Sequence, residues 1–146
     1  MKLKSRGFTL TELMISVAIV GILAAIAQPV FVSHFAAGYK TEALNLLTRI
    51  QVLQEQYFVE NRRYANTFGQ LGLDAALTTE SGLYTLSLSN TDVTNYTDFT
   101  ATATATSAQQ SNDGTCKTLS ITETGRKSAT DISNQDSTED CWGVTN

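Results

Sequence analysis

The chain is poor in the residues that usually do chemistry. Across 146 residues there is one histidine, His34, and there are two cysteines, Cys116 and Cys141. His34 has no evident nucleophile to serve and reads as a packing or interface residue. No glycine-rich phosphate loop and no zinc-type ligand spacing occurs. An enzyme reading therefore has no positive support, and no cofactor or metal is called for. Cations are scarce too: ten Lys and Arg stand against 14 Asp and Glu, for a formal charge of −4. An acidic chain repels phosphate backbones on average, which argues against general nucleic-acid binding. Arg62-Arg63 and Arg126-Lys127 are the candidate local basic patch, although adjacent like charges also arise as plain solvated surface. Asp131, Asp136, Glu139 and Asp140 do not follow an EF-hand spacing, so they read as a solvated acidic loop rather than a calcium site. Asn95-Tyr96-Thr97 fits an N-glycosylation triplet, read as a chance match, while many Ser and Thr leave O-linked sugar open.

What is present is concentrated at the start. Lys2, Lys4 and Arg6 form a short cationic leader that ends in Gly7. An almost wholly apolar run follows from residue 8 to about 35, broken by one carboxylate, Glu12. An acidic residue inside a membrane-length helix costs roughly 2.5–3.5 kcal/mol on insertion scales. The run, at about 20 residues or more, is long enough to span a bilayer. A plain signal anchor would explain the charge bias through the positive-inside rule, and no small-residue cleavage site follows the apolar core. That reading leaves Glu12 and the Gly7-Phe8 junction without a purpose. Cutting between Gly7 and Phe8 would create an α-amino cation that Glu12 can neutralise. Losing the three leader cations would also take the formal charge from −4 to −7.

Beyond Pro29 the pattern changes from apolar all round to one-sided. Tyr39, Ala43, Leu46, Ile50, Leu53 and Tyr57 step by four and three, which places them on one helix face. One helix is expected from about 8 to 60, running about 80 Å, with softening or a kink at Pro29 and weak points at Gly21 and Gly38. Gly69, Gly72 and Gly82 signal turns around a short helical piece near 71–77. Three runs then alternate with period two: 84–89, 99–106 and 117–122. Threonine on the outer positions suits a sheet covered on one side. The Ala-Thr run is a strand on this reading, with a low-complexity linker as its alternative. Residues 123–127 read as a turn and the remainder as loop.

The stretch Gly7-Phe8-Thr9-Leu10-Thr11-Glu12-Leu13, continued to Gly21 and Pro29, resembles the class III leader and N-terminal helix of type IV pilins. The helix end around Tyr57-Phe58 and Tyr64-Ala65 is similar to that of many Gram-negative subunits. The late cysteine, glycine turn and terminal Cys141-Trp142 resemble PilE-type minor pilins of Gram-negative bacteria. The resemblance implies an α+β fold, with a long N-terminal helix packed against an antiparallel sheet. It implies a leader at 1–7, a transmembrane and filament-core helix at 8–35, and a head at 36–146. Prepilin peptidase would cut after Gly7 and methylate Phe8, Glu12 would set assembly register, and Pro29 and Gly21 would soften the helix. The implied partners are other pilin subunits, the peptidase, the inner-membrane assembly machinery and the inner membrane itself. The location is inner membrane before assembly and pilus surface afterwards. In an exported head, Cys116 and Cys141 favour a disulfide, with a metal site as a poorer use of the same pair. A major pilin, a type II secretion pseudopilin, and a pilus-displayed DNA-uptake or adhesion module remain alternatives.

Overall fold

The computed structural model describes residues 8–144, with side chains throughout except at 27–34. The leader, including Gly7, and the side chains of Pro29 and His34 lie outside the described residues. Helix α1 spans Leu10–Asn61, and its helical backbone continues through Gly21, Pro29 and Gly38. The chain divides between His34 and Phe35 into two compact units. Among the described residues no helix is long and apolar enough to cross a membrane. From Leu10 to Ile26 the described apolar stretch rises only about 25 Å, short of a hydrocarbon core of roughly 30 Å.

The second unit is a helix-on-sheet head. A 3-10 turn at Phe68–Leu71 is followed by β1 (Tyr84–Ser89), β2 (Thr100–Ala105), α2 (Ser107–Asn112), β3 (Thr118–Thr122), β4 (Lys127–Thr130) and α3 (Thr138–Trp142). The strands form one antiparallel sheet in the order β1-β2-β3-β4. Each strand pairs with the next along the chain, as sequential strands usually do, although α2 lies within the β2–β3 connection. The inner face is built from Tyr84 and Leu86, the alanines of β2, Leu119 and Ile121, and Ala129, all buried. From α1 the fully buried seam is Ala43, Leu47, Ile50 and Gln54, while Tyr39, Leu46, Leu53 and Tyr57 flank it half-buried. Gln54 is buried without cost because its amide serves both backbone groups of Ala65, at 2.8 and 3.0 Å.

Several expectations need correction. The short helical piece lies at Phe68–Leu71, upstream of 71–77. The segment after 123 is not turn and loop throughout: β4 and α3 lie there. Helix α2 follows β2 in a segment for which the sequence pattern gave no helix. The Ala-Thr run, by contrast, is strand β2 as its alternation indicated.

Candidate functional site

Two regions carry the residues singled out by sequence: the start of α1 and the head. At the start, α1 is apolar on every side. Phe8, Leu10, Leu13, Met14, Ile15, Val17, and five further large apolar side chains to Ile26 are each more than half exposed. Burying a side chain of this size is worth about 1.5–3 kcal/mol, so covering all eleven is worth on the order of 20 kcal/mol. A helix hydrophobic all round belongs in lipid or inside a bundle of other helices.

Glu12 is held within this stretch by Thr9. The Thr9 backbone N–H and hydroxyl both donate to Glu12 Oε2, at 3.0 and 2.8 Å. The Glu12 N–H returns a longer bond of 3.3 Å to Thr9 Oγ1. This is a capping box: two helix-start donors that would otherwise go unpaired are satisfied reciprocally. The signal was in the sequence, since Thr9 and Glu12 stand at the required three-residue spacing. The carboxylate thus has a partner inside its own helix, one residue from the position where processing would place an α-amine at Phe8.

In the head, the candidate cations are not a uniform patch. Arg62 closes α1 in the left-handed region, at φ 59°, with its N–H bonded to Phe58 O at 2.8 Å. Arg63 follows it, and next comes Tyr64, stacked on Phe58 at 4.7 Å and edge-on to Phe99 at 4.9 Å. The β3–β4 turn carrying Arg126 borders this cluster through the Glu123 N–H, which donates to Phe99 O at 3.2 Å. Acids lie among these cations. Burial, together with Glu55 and Glu123, pushes the Tyr64 phenol up to about 12, and its hydroxyl donates to Glu55 at 3.1 Å. Lys127 is engaged over the Trp142 ring, 5.1 Å from its centroid.

Cys116 and Cys141 form a disulfide, with Cα atoms 5.8 Å apart and both residues buried. The pair ties α3 to the sheet. The Tyr84 hydroxyl donates to Cys116 O at 3.0 Å, and burial pushes that phenol up to about 12. The tail also seals the outer edge of β4. Ala129 donates to Thr138 Oγ1 and accepts from Ser137 N–H, while the Trp142 indole donates to Ser128 O. Two of the tail acids hold turns: Asp131 accepts from Ser133 and Gln135, and Asp136 from Thr138. Among the described residues no group of three possible ligands forms.

Comparison with known proteins is consistent with this arrangement. Residues 29–120 match the family described as type IV minor pilin ComP, DNA uptake sequence receptor. Residues 2–28 match the prokaryotic N-terminal methylation motif. The type IV major pilin PilA of Myxococcus xanthus is 45% identical over 69 residues, covering 47% of this chain and 31% of that protein. The type IV major pilin PilE1 of Neisseria gonorrhoeae is 33% identical over 79 residues, covering 54% and 48% respectively. The chain thus matches between about a third and a half of the length of these relatives. A type IV pilin from Shewanella oneidensis shares the fold with a TM-score of 0.50 at 21% identity, over 63% of this chain and 89% of that one. Arg126 and Lys127 fall outside the family-matched segment.

Proposed function

The chain belongs to the family of type IV minor pilins described as ComP, DNA uptake sequence receptor, and on that premise we propose that it is a structural, non-catalytic subunit of a type IV pilus, present as a minor pilin. The observation that carries this reading is the exposed apolar surface of α1 from Phe8 to Ile26. Lipid covers that surface first and neighbouring pilin helices cover it later. The precursor sits in the inner membrane through residues 8–35, with Lys2, Lys4 and Arg6 on the cytoplasmic side. Prepilin peptidase cuts after Gly7 and the Phe8 amine is methylated. Glu12 then pairs with the N-terminal cation of a neighbour already in the filament. That pairing offsets the burial cost of both charges and fixes axial register, a use of a buried ion pair for specificity. Pro29 and Gly21 let the filament core bend. The head at 36–146 forms the exterior.

The test is incorporation. A tagged chain expressed in piliated cells should co-purify with sheared filaments. Glu12→Leu should reach the membrane and stay there. Filaments carrying the Glu12→Leu chain at the normal level would overturn the register mechanism.

The family's description as a DNA uptake sequence receptor favours a second reading, a head that binds DNA for uptake. Its charge weighs against it, because the processed chain would carry a formal −7 and phosphate contacts require cations. The discriminating measurement is a salt-dependent DNA shift. Loss of binding after neutralising Arg62, Arg63, Arg126 and Lys127 would support this reading, and no shift at 50 mM salt would remove it.

A further inference from the structure

Helix α1 joins the head at Phe35, yet its first turns there are lightly held. Phe35, Ala37, Gly38 and Thr41 are exposed, and Tyr39, Lys40 and Glu42 are half-buried. The fully buried seam begins only at Ala43. Ala36 is the exception at 2% exposed, but a methyl group covers too little apolar surface to hold a helix turn by itself. A polar contact holds it instead. The Gln109 side-chain amide donates to Ala36 O at 3.1 Å, across 73 residues of sequence, and Gln109 is itself fully buried. In an α-helix the Ala36 carbonyl already accepts from the N–H four residues on, at Lys40, and its second lone pair serves the amide. Helix α2, which presents Gln109, is tied in turn to the end of β2. The Gln110 N–H donates to Thr106 O at 2.9 Å and its side-chain amide to Ala105 O at 2.7 Å. Gln109 Oε1 is buried with no hydrogen-bond partner among the described residues, so the amide acts through its donor side. Turning it over would set that oxygen against the Ala36 oxygen. The other polar ties on this part of α1 are longer and nearer the surface: Lys40 Nζ to Asp140 O at 3.4 Å, and Ser81 N–H to Glu42 Oε2 at 3.3 Å.

We propose that Gln109 is a clamp that fixes where the head takes hold of α1, so that bending or partial unwinding arriving from the Gly21–Pro29 side stops at Ala36. A buried hydrogen bond in low-dielectric surroundings is stronger than an exposed one and costly to lose, which suits a contact that must resist strain on a helix. Without the amide, the firm hold on α1 begins at Ala43, about two turns later. Gly38 lies in the span thus released. A Cβ there would meet nothing within 4 Å, so packing does not require glycine, and glycine is among the weakest helix formers. The helix opens at that point once the clamp is gone. That the clamp carries bending load in a filament rests on the pilin reading, whereas the contact and its hold on α1 do not.

The experiment uses the full chain in detergent and follows amide hydrogen exchange residue by residue. Gln109→Met keeps the length and bulk of the side chain and removes the donor. In that variant exchange at Lys40, Thr41, Glu42 and Ala43 should rise at least tenfold, while Leu47 and Ile50 stay within about twofold of wild type. Adding Gly38→Ala should reverse the rise severalfold, because alanine restores helix propensity without making a contact of its own. If Gln109→Met fails to fold, Gln109→Asn, whose amide stops one methylene short, should show the same local rise. Unchanged exchange at 40–43 would overturn the proposal. So would a rise shared equally by Leu47, Ile50 and the strands, which marks general loosening of the core, or a rise that Gly38→Ala leaves untouched. Because the assay needs no filament, its outcome is independent of whether the chain is incorporated into a pilus.

Discussion

Glu12 caps its own helix, and the proposed assembly adds a second demand, pairing with a neighbour's amine. The Thr9–Glu12 box separates them experimentally. Glu12→Gln keeps a side chain able to complete the box but carries no charge, whereas Glu12→Leu loses both. If charge pairing drives register, both variants fail to enter filaments, and only the leucine variant loses helix content at its start, a change of about 0.5–2 kcal/mol. Normal incorporation of Glu12→Gln would reduce Glu12 to a cap. In the head, the Tyr84 hydroxyl is the residue-scale test of packing. Tyr84→Phe leaves the buried Cys116 carbonyl unpaired, and denaturant titration should register a loss of about 1–3 kcal/mol. The aligned apolar positions of α1 were readable because spacing alone reports them. The burial of Gln54 was not, because its partners at Ala65 come from a chain reversal that local pattern does not encode.

Among the elements, the C-terminal tail is the one whose order depends on a covalent tie. Cys141 sits on a five-residue helix that would not persist alone. Replacing both cysteines with serine should cost about 3–4 kcal/mol for a closed loop of this length. It should free Trp142 from β4, read as a red shift of its emission. Acid should loosen the same tail. Bonds from the Thr138 hydroxyl and N–H hold the Asp136 carboxyl below its ordinary range. Its contribution is therefore present above the unfolded carboxylate pKa and is lost as pH falls through the lowered folded value. Alkali acts on the core instead. The Tyr64 and Tyr84 phenols, both raised to about 12, add stability that is whole below about pH 10 and lost as pH climbs toward 12. A fluorescence and circular-dichroism pH series should show tail release in acid before sheet loss, and sheet loss only in strong alkali. Strand β2 was legible because six residues alternate without exception. Strand β4 was not, because Lys127–Thr130 offers one apolar residue, and α2 and α3 are too short to display a helical period.

For the molecule as a whole, two surfaces stand out: an apolar helix start that water does not tolerate and an outer sheet face rich in hydroxyls. The first follows from composition at 8–35 and was plain in the sequence. The second required strand register, which places Thr85, Thr104, Thr118 and Thr130 side by side although they are scattered along the chain. The pilin reading rests on the first surface. It is tested most directly by shearing surface filaments from cells and sequencing this chain within them by mass spectrometry. The account predicts a peptide that begins with N-methylated Phe8, at a level well below that of the main filament protein. A dominant level would make it the major subunit. Chain found only in the membrane, still carrying Met1 to Gly7, would contradict the account.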